Sequence, residues 1–415
     1  LPAMKKIVVT ALFAFALLSS FSQTTISPAE RQALIEQIKR EILDSLRNEG
    51  VEKPKDAVDS MRIARQNQWK GKVEFSGYVE AYYQYDFNQP QDGNRPAFVY
   101  SHHRHNEINI NLAYLKLAYN APRLRANLAV MLGTYANANL AAEPGLLKNI
   151  YEANAGINLS KKKQLWLEGG VFMSHIGFES AVSKDCWTVT RSMQADNMPY
   201  FESGVKLTYT SDNGKLLVSG LVLNGWQRIQ RQSGNSLPSF GWQVQGKPND
   251  KVLINSSSFI GADKPDSIRQ MRYFHDLYVI INATDKFGLA LSFDVGMEQK
   301  AKGSKQYNYW YTPAIIARYV PISQLTFAAR VEYYDDKNGV IIATGTPNGF
   351  GTLGYSLNLD YSPVSNALFR VEGKLLHSHS DAIFARKDGS YTQFSPSLAV
   401  SFAYSFGFMP AVAKQ

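Results

Sequence analysis

The 415 residues are 45% hydrophobic and 12% aromatic, with 23 Tyr and 22 Phe, which excludes a disordered polymer and leaves room for one large barrel or two or three ordinary domains. The formal charge of +9 is scattered along the chain without a basic helix or stripe, so nucleic acid is not an expected partner. A single cysteine, Cys186, excludes an internal disulfide, and no histidine dyad near it in sequence suggests a nucleophile.

Residues 1–3 precede Met4, the expected start. Lys5 and Lys6, the apolar run from Ile7 to Leu18, and the small residues Ser20 and Ser22 read as a secretory signal peptide over 1–22. Downstream there is no apolar run of about 18 residues, so no transmembrane helix is expected. Residues 23–71 are read as a periplasmic helix and linker. Ser27 caps it, Pro28 opens it, Glu30 follows, and Leu34, Ile35, Ile38, Ile42 and Leu46 share one face up to Gly50. This amphipathic helix either lies under or inside the domain that follows or forms a short coiled coil. Isoleucine at successive seam positions would then favour three strands or more, hence a homo-oligomer such as a trimer.

From residue 72 the pattern becomes two-fold. In VEFSGYVEAYYQYDF, residues 73–87, Val73, Phe75, Val79, Ala81 and Phe87 fall on one side, while Glu74, Ser76, Glu80, Gln84 and Asp86 fall on the other. The strand exceeds the roughly 5 or 6 residues usual in soluble domains and suits a tilted bilayer crossing of about 9 to 11. About sixteen such strands fill 72–408, and a tail occupies 409–415. Their connections alternate between short (NAPR, SKKK, SDNG, KPND, ATD, VPIS, SPVS) and long, which puts turns at one end and loops at the other. Asn213 and Gly214 suit a type I′ turn, and Pro313 and Pro396 inside strands predict bulges or misplaced strand boundaries. Tyr83, Tyr85, Tyr307, Tyr309, Tyr319, Tyr333 and Tyr361 near strand ends fit aromatic girdles. The expected fold is all-β: a transmembrane antiparallel up-and-down β-barrel of about 16 strands, preceded by a short amphipathic periplasmic helix. It would sit in outer-membrane lipid, apolar side out and wet side in.

On that alternation Arg123, Arg125, Lys206, Arg272, Arg318, Arg330, Arg370 and Lys374 line the lumen against Glu152, Glu168, Asp276, Asp294, Glu298, Glu332, Asp360 and Glu372. They form either mutually neutralising ion pairs or a transverse field that sorts solutes by charge. The third long connection, 177–199, either folds inward as a constriction carrying Glu179, Lys184, Asp185, Arg191 and Asp196, or lies across the outer rim.

GVFMSHIGFE (170–179), DCWTVTRS (185–192) and PYFESGVKL (199–207) resemble the elements G-x-F-x-x-x-x-G-x-E, N-W-x-Y-S-R-S and P-Y-Y-x-x-G-x-K of the OmpL-like β-barrel porin family. The matching positions are Gly170, Phe172, Gly177, Glu179, Trp187, Arg191, Ser192, Pro199, Tyr200 and Gly204. WYTPAIIARY and RVEYYDDKNG also resemble that family's paired late strands. Cys186 and Val189 depart from its usual Asn and Tyr. The resemblance implies a Gram-negative outer-membrane channel without naming its solute.

His102, His103 and His105 in the first long loop and His377 and His379 near the last could meet at the barrel seam, although exposed histidine is the commoner case, and no metal site or cofactor is assigned. The leading functional reading is a porin passing small hydrophilic solutes by diffusion. A plugged structural or adhesive barrel without channel activity is the alternative. An outer-membrane lipase or protease is disfavoured because no G-x-S-x-G elbow occurs; GYSLN at 354–358 lacks the second glycine.

Overall fold

The computed structural model describes residues 71–408 and Gln37 of a chain that divides into two units, 1–67 and 68–415. The expected signal peptide, the helix over 27–49 and the tail 409–415 lie outside the described residues. Among the described residues no helix is long and apolar enough to cross a membrane.

Sixteen antiparallel strands close into a barrel: β1 (Lys72–Asp86), β2 (Ile108–Asn120), β3 (Leu124–Leu132), β4 (Ile150–Asn158), β5 (Gln164–Met173), β6 (Phe201–Thr210), β7 (Leu216–Leu223), β8 (Ser239–Asn249), β9 (Val252–Gly261), β10 (Arg272–Asn282), β11 (Phe287–Gln299), β12 (Tyr307–Ile322), β13 (Leu325–Asp336), β14 (Phe350–Val364), β15 (Ala367–Ser378) and β18 (Phe394–Phe408). Strands β16 (Phe384–Ala385) and β17 (Tyr391–Thr392) make a small hairpin in the last long loop. Barrel neighbours follow chain order, and β1 closes on β18 from Phe75 opposite Phe408 to Asp86 opposite Ser397. Closure leaves no sheet edge, which a lipid solvent demands because it offers no partner to a free backbone group.

The faces are inverted relative to a soluble protein. On β11, Phe287, Leu291, Phe293 and Val295 are exposed while Ala290, Ser292, Asp294 and Glu298 are buried; β18 repeats this with Leu398, Val400, Phe402 and Tyr404 outside. Outward aromatics pair across strands near the short-turn end: Phe287 with Tyr319, Tyr319 with Phe327, Tyr361 with Phe369, and Phe369 with Phe402. An apolar belt flanked by aromatics suits hydrocarbon, where burying a Leu or Phe contributes roughly 1.5–3 kcal/mol.

Three turn-end irregularities have one cause. The register slips between Gly246 and Asn249, between Tyr319 and Ile322, and between Tyr361 and Val364, and each slip encloses a proline: Pro248, Pro321 and Pro363. A residue without an N–H cannot complete the ladder, so the strand bulges there and runs on past the expected turn. Pro313 and Pro396, where bulges were expected, instead sit in unbroken register. The β12–β13 ladder skips Pro313 between the aligned pairs Tyr311–Asp335 and Ala314–Glu332. The Pro396 carbonyl accepts from Phe87 N at 3.0 Å, so its missing donor faces Phe87, one residue beyond the last β1–β18 pair, where the ladder is already ending.

The turn at 211–215 also departs from expectation. Gly214 alone has positive φ (67°), Gly214 N donates to Ser211 O at 2.8 Å, and the Asn213 side chain accepts from Lys215 N. Type I′ needs positive φ at both central residues, so this is a turn with a left-handed glycine following it.

The interior is not uniformly wet. Phe259, Phe274, Trp310, Tyr334 and Phe350 point inward and join one buried cluster with Phe98 and Phe384 of the first and last long loops and with Met193 and Met198 of the third. Phe98 meets Phe350 edge-on at 4.8 Å between ring centres.

Candidate functional site

The β5–β6 connection, residues 174–200, begins where two glycines face each other. Gly170 (φ 126°) lies opposite Gly204 (φ 158°), and a Cβ on either would stand 2.1 or 2.0 Å from a neighbouring carbonyl oxygen, so only glycine lets the strands approach here. Beyond them the loop folds on itself. Arg191 is fully buried and donates to the carbonyls of Ser180 (2.6 Å), Val189 (2.7 Å) and Ala181 (3.2 Å). Ser192 caps a short helix, α1 (Met193–Asp196), by accepting from Ala195 N at 3.0 Å, and its backbone N–H donates to Glu179. The residues that carry the family resemblance are thus largely the loop's own scaffold.

The wall then recognises the loop's main chain. From β13, Arg330 donates to Thr188 Oγ1 and Thr190 O, both at 2.8 Å, and to Glu372 Oε1 at 2.9 Å. From β15, Arg370 donates to Ser183 O (2.5 Å) and Cys186 O (2.9 Å) while pairing with Asp360 at 2.7 Å, and Lys374 donates to Arg191 O at 3.0 Å and pairs with Glu332 at 3.1 Å. In return Thr190 N donates to Glu372, Met193 N to Glu332 and Val189 N to Asn358. Elsewhere Ser183 bonds to Glu80 and Tyr78 on β1, and Gln194 accepts from Ser292 on β11 at 2.6 Å. The connection springs from β5 and β6 and its main chain is bonded to β13, β14 and β15 on the far side of the closed strand order, so the segment reaches across the barrel interior.

Of the five loop residues singled out, Asp185 keeps an exposed side chain and Lys184 is half-buried, whereas Glu179, Arg191 and Asp196 are buried. Glu179 lies 3.8 Å from Arg330, and Asp196 accepts from Ser101 at 3.1 Å. Burial lifts the Asp196 carboxyl to about 7, against the opposing pull of Lys374 and Arg191. Burial likewise pushes the Cys186 thiol up to about 11 and leaves it inert.

The remaining wall charges are mostly paired. Arg125 grips Glu168 (2.7 Å), with Lys206 at 3.8 Å from the same carboxylate; Glu152 is held by Lys116; and Arg272 holds Glu298 at 2.7 Å and lies 3.6 Å from Asp263. Arg123 donates to Asn158 O at 3.2 Å, and Arg318 covers the Trp187 ring at 4.7 Å. Asp276 and Asp294 are direct cross-strand partners and both fully enclosed. The structure brings Arg330, Glu332, Glu372 and Lys374 together under the loop, and leaves Arg123 and Arg318 apart from that cluster.

Several partners had no sequence signal. Glu80 bonds to His102 Nε2 and to Asn111 Nδ2, both at 3.0 Å; Asn111 is the extra residue where the β1–β2 register slips, which aims its amide inward. His175 bonds to Glu202 through Nδ1 and to Ser258 O through Nε2, both at 2.8 Å. Burial opposes its charge, but the carboxylate and the carbonyl outweigh it and raise its pKa. The other loop histidines are separately engaged: His103 Nδ1 with Tyr100 O, His105 Nδ1 with Asp86 N, and His377 against His379 and Phe394. Among the described residues no group of three or more His, Cys, Asp or Glu could hold a metal.

Beside the loop a cavity of about 330 Å³ remains, lined by β3, β5, β6, β7 and β8 and including Arg125, Trp166, Glu168, Lys206 and Gln243.

The fold recurs in solved structures. An anion-selective porin from Comamonas acidovorans is 9% identical and aligns with a TM-score of 0.54 over 81% of this chain and 100% of its own. The outer-membrane channel DcaP of Acinetobacter baumannii is 12% identical, TM-score 0.51, covering 81% and 97%. The trimer form of OmpT from Vibrio cholerae is 9% identical, TM-score 0.51, covering 81% and 99%. No curated protein matches the sequence. The family model described as "Putative beta-barrel porin-2, OmpL-like" matches residues 72–406, and the chain belongs to that family.

Proposed function

We propose that this chain is a porin of the Gram-negative outer membrane that passes small hydrophilic solutes by diffusion through its lumen, narrowed by the third external loop, and that it is a channel and not an enzyme. The observation that carries the reading is the bracing of residues 183–193 by Arg330, Arg370, Glu372 and Lys374. A loop held across a barrel interior by its backbone restricts passage by size, while the exposed Asp185, the half-buried Lys184 and the unburied wall charges act on solutes by sign. Export through a cleavable signal peptide over 1–22 belongs to this reading, as does a homotrimer favoured by the isoleucine seam of 27–49.

The plugged-barrel reading also has an observation in its favour, because the apolar cluster of Phe98, Phe350, Phe384 and Met193 fills the loop end of the interior. Planar-bilayer recording of the full chain separates the two. A porin gives stable unitary currents that grow when residues 183–190 are excised. Silence in both proteins, each shown to be folded and inserted, contradicts the channel reading and supports the plug.

A further inference from the structure

We infer that the lumen cavity between β3 and β8 is a binding subsite for small organic anions, with Lys206 as its selectivity-determining cation. The inference rests on the reading of the lumen as water-filled, and it does not require the channel to be open at both ends.

The charge balance is read from the pairs. Glu168 is the carboxylate that lines the cavity, and Arg125 already holds it through Nε at 2.7 Å and through a second guanidinium nitrogen. That fork sets one guanidinium charge against the one carboxylate charge. Lys206 stands 3.8 Å from Glu168, beyond hydrogen-bond reach, so its positive charge is surplus. The nearest other acids are committed elsewhere: Glu202 to His175 at 2.8 Å, and Glu152 to Lys116. His175 shares a proton with Glu202 through Nδ1 while Nε2 donates to Ser258 O, so whichever of the two holds that proton, His175 and Glu202 are together neutral. The cavity therefore carries one uncompensated positive charge within walls of low dielectric, where a solute's charge is felt more strongly than in bulk water.

The rest of the lining suits an organic body. The Arg125 guanidinium lies over the Trp166 ring at 4.2 Å and the Lys206 ammonium over the Phe172 ring at 4.5 Å, so each cation is held beside an apolar face. Gln164, Thr208, Ser219 and Gln243 supply neutral hydrogen-bonding groups. A carboxylate placed at Lys206 with its carbon chain against Trp166 would use both kinds of surface.

The test is calorimetric titration of the folded, detergent-solubilised full chain with succinate, and with uncharged succinamide. The expected result is saturable succinate binding that weakens at least tenfold in Lys206→Gln, is largely restored in Lys206→Arg, is unchanged in Lys302→Gln on an external loop, and is absent for succinamide. The inference is overturned if the wild type shows no saturable succinate binding, if succinamide binds equally, or if Lys206→Gln binds as tightly as the wild type. Reversal potentials of any currents under a salt gradient supply the second readout: anion preference that falls in Lys206→Gln agrees with the subsite, and an unchanged preference contradicts it. A protein that binds succinate but passes no current contradicts the channel reading alone.

Discussion

At the scale of single residues, the third loop is held by groups whose ionisation favours docking in acid. Asp196 is lifted from 3.8 to about 7, so between those values the docked state holds a proton that the undocked carboxyl has lost. Stability then falls as pH climbs through that window and levels off above it. His175 has a raised pKa; its contribution is complete below 6.5 and lost as pH rises through the higher value. Both act in the same direction. Labelling of the enclosed Cys186, normalised to the rate for denatured chain, should therefore accelerate from pH 5 to pH 8, by at most roughly tenfold per unit for each of the two groups. Asp196→Asn should flatten that slope, and an undiminished slope in the variant would remove Asp196 from the account. Alternation along β13 and β15 was enough to turn Arg330, Arg370 and Lys374 inward, because side-chain direction follows from strand period alone. Their partners were not legible. Backbone carbonyls of Ser183, Cys186 and Arg191 carry no sequence signature, and only the folded loop brings them to the wall.

At the scale of elements, the strands were legible because lipid outside and polar groups inside force a strict period of two, and the connections because their lengths alternate. Proline positions were misjudged for a geometric reason. Whether a missing N–H matters depends on which neighbour it faces, so Pro396 is harmless beyond the end of β1 while Pro248, Pro321 and Pro363 break register. The glycine pair under the third loop carries a sharper consequence. A Cβ at Gly204 meets Val222 O at 2.0 Å from a backbone at φ 158°. Gly204→Ala should cost about 1–3 kcal/mol through strain and lower the temperature at which the folded band is lost in heat-modifiability electrophoresis, whereas Gly220→Ala, with open space around it, should not. Equal behaviour of the two variants would contradict a close approach of β5, β6 and β7.

At the scale of the whole molecule, the distribution of polarity is the governing fact: Leu, Val and Phe outside, ion pairs and a braced loop inside. The sequence pattern anticipated the apolar outside and polar inside, left the loop open between lumen and rim, and gave no sign of the apolar cluster at the loop end of the interior, since an inward Phe259 or Trp310 reads the same as any residue on the wet side until the loops above it are known. The most direct measurement uses adjacent residues of β8 in a Cys186→Ser background. Gln243 lines the cavity and Val244 is 41% exposed on the outer face. In liposome-reconstituted protein a charged, membrane-impermeant thiol reagent should modify Gln243→Cys and spare Val244→Cys. Modification of Val244→Cys with protection of Gln243→Cys would mean that water surrounds this barrel and does not enter it.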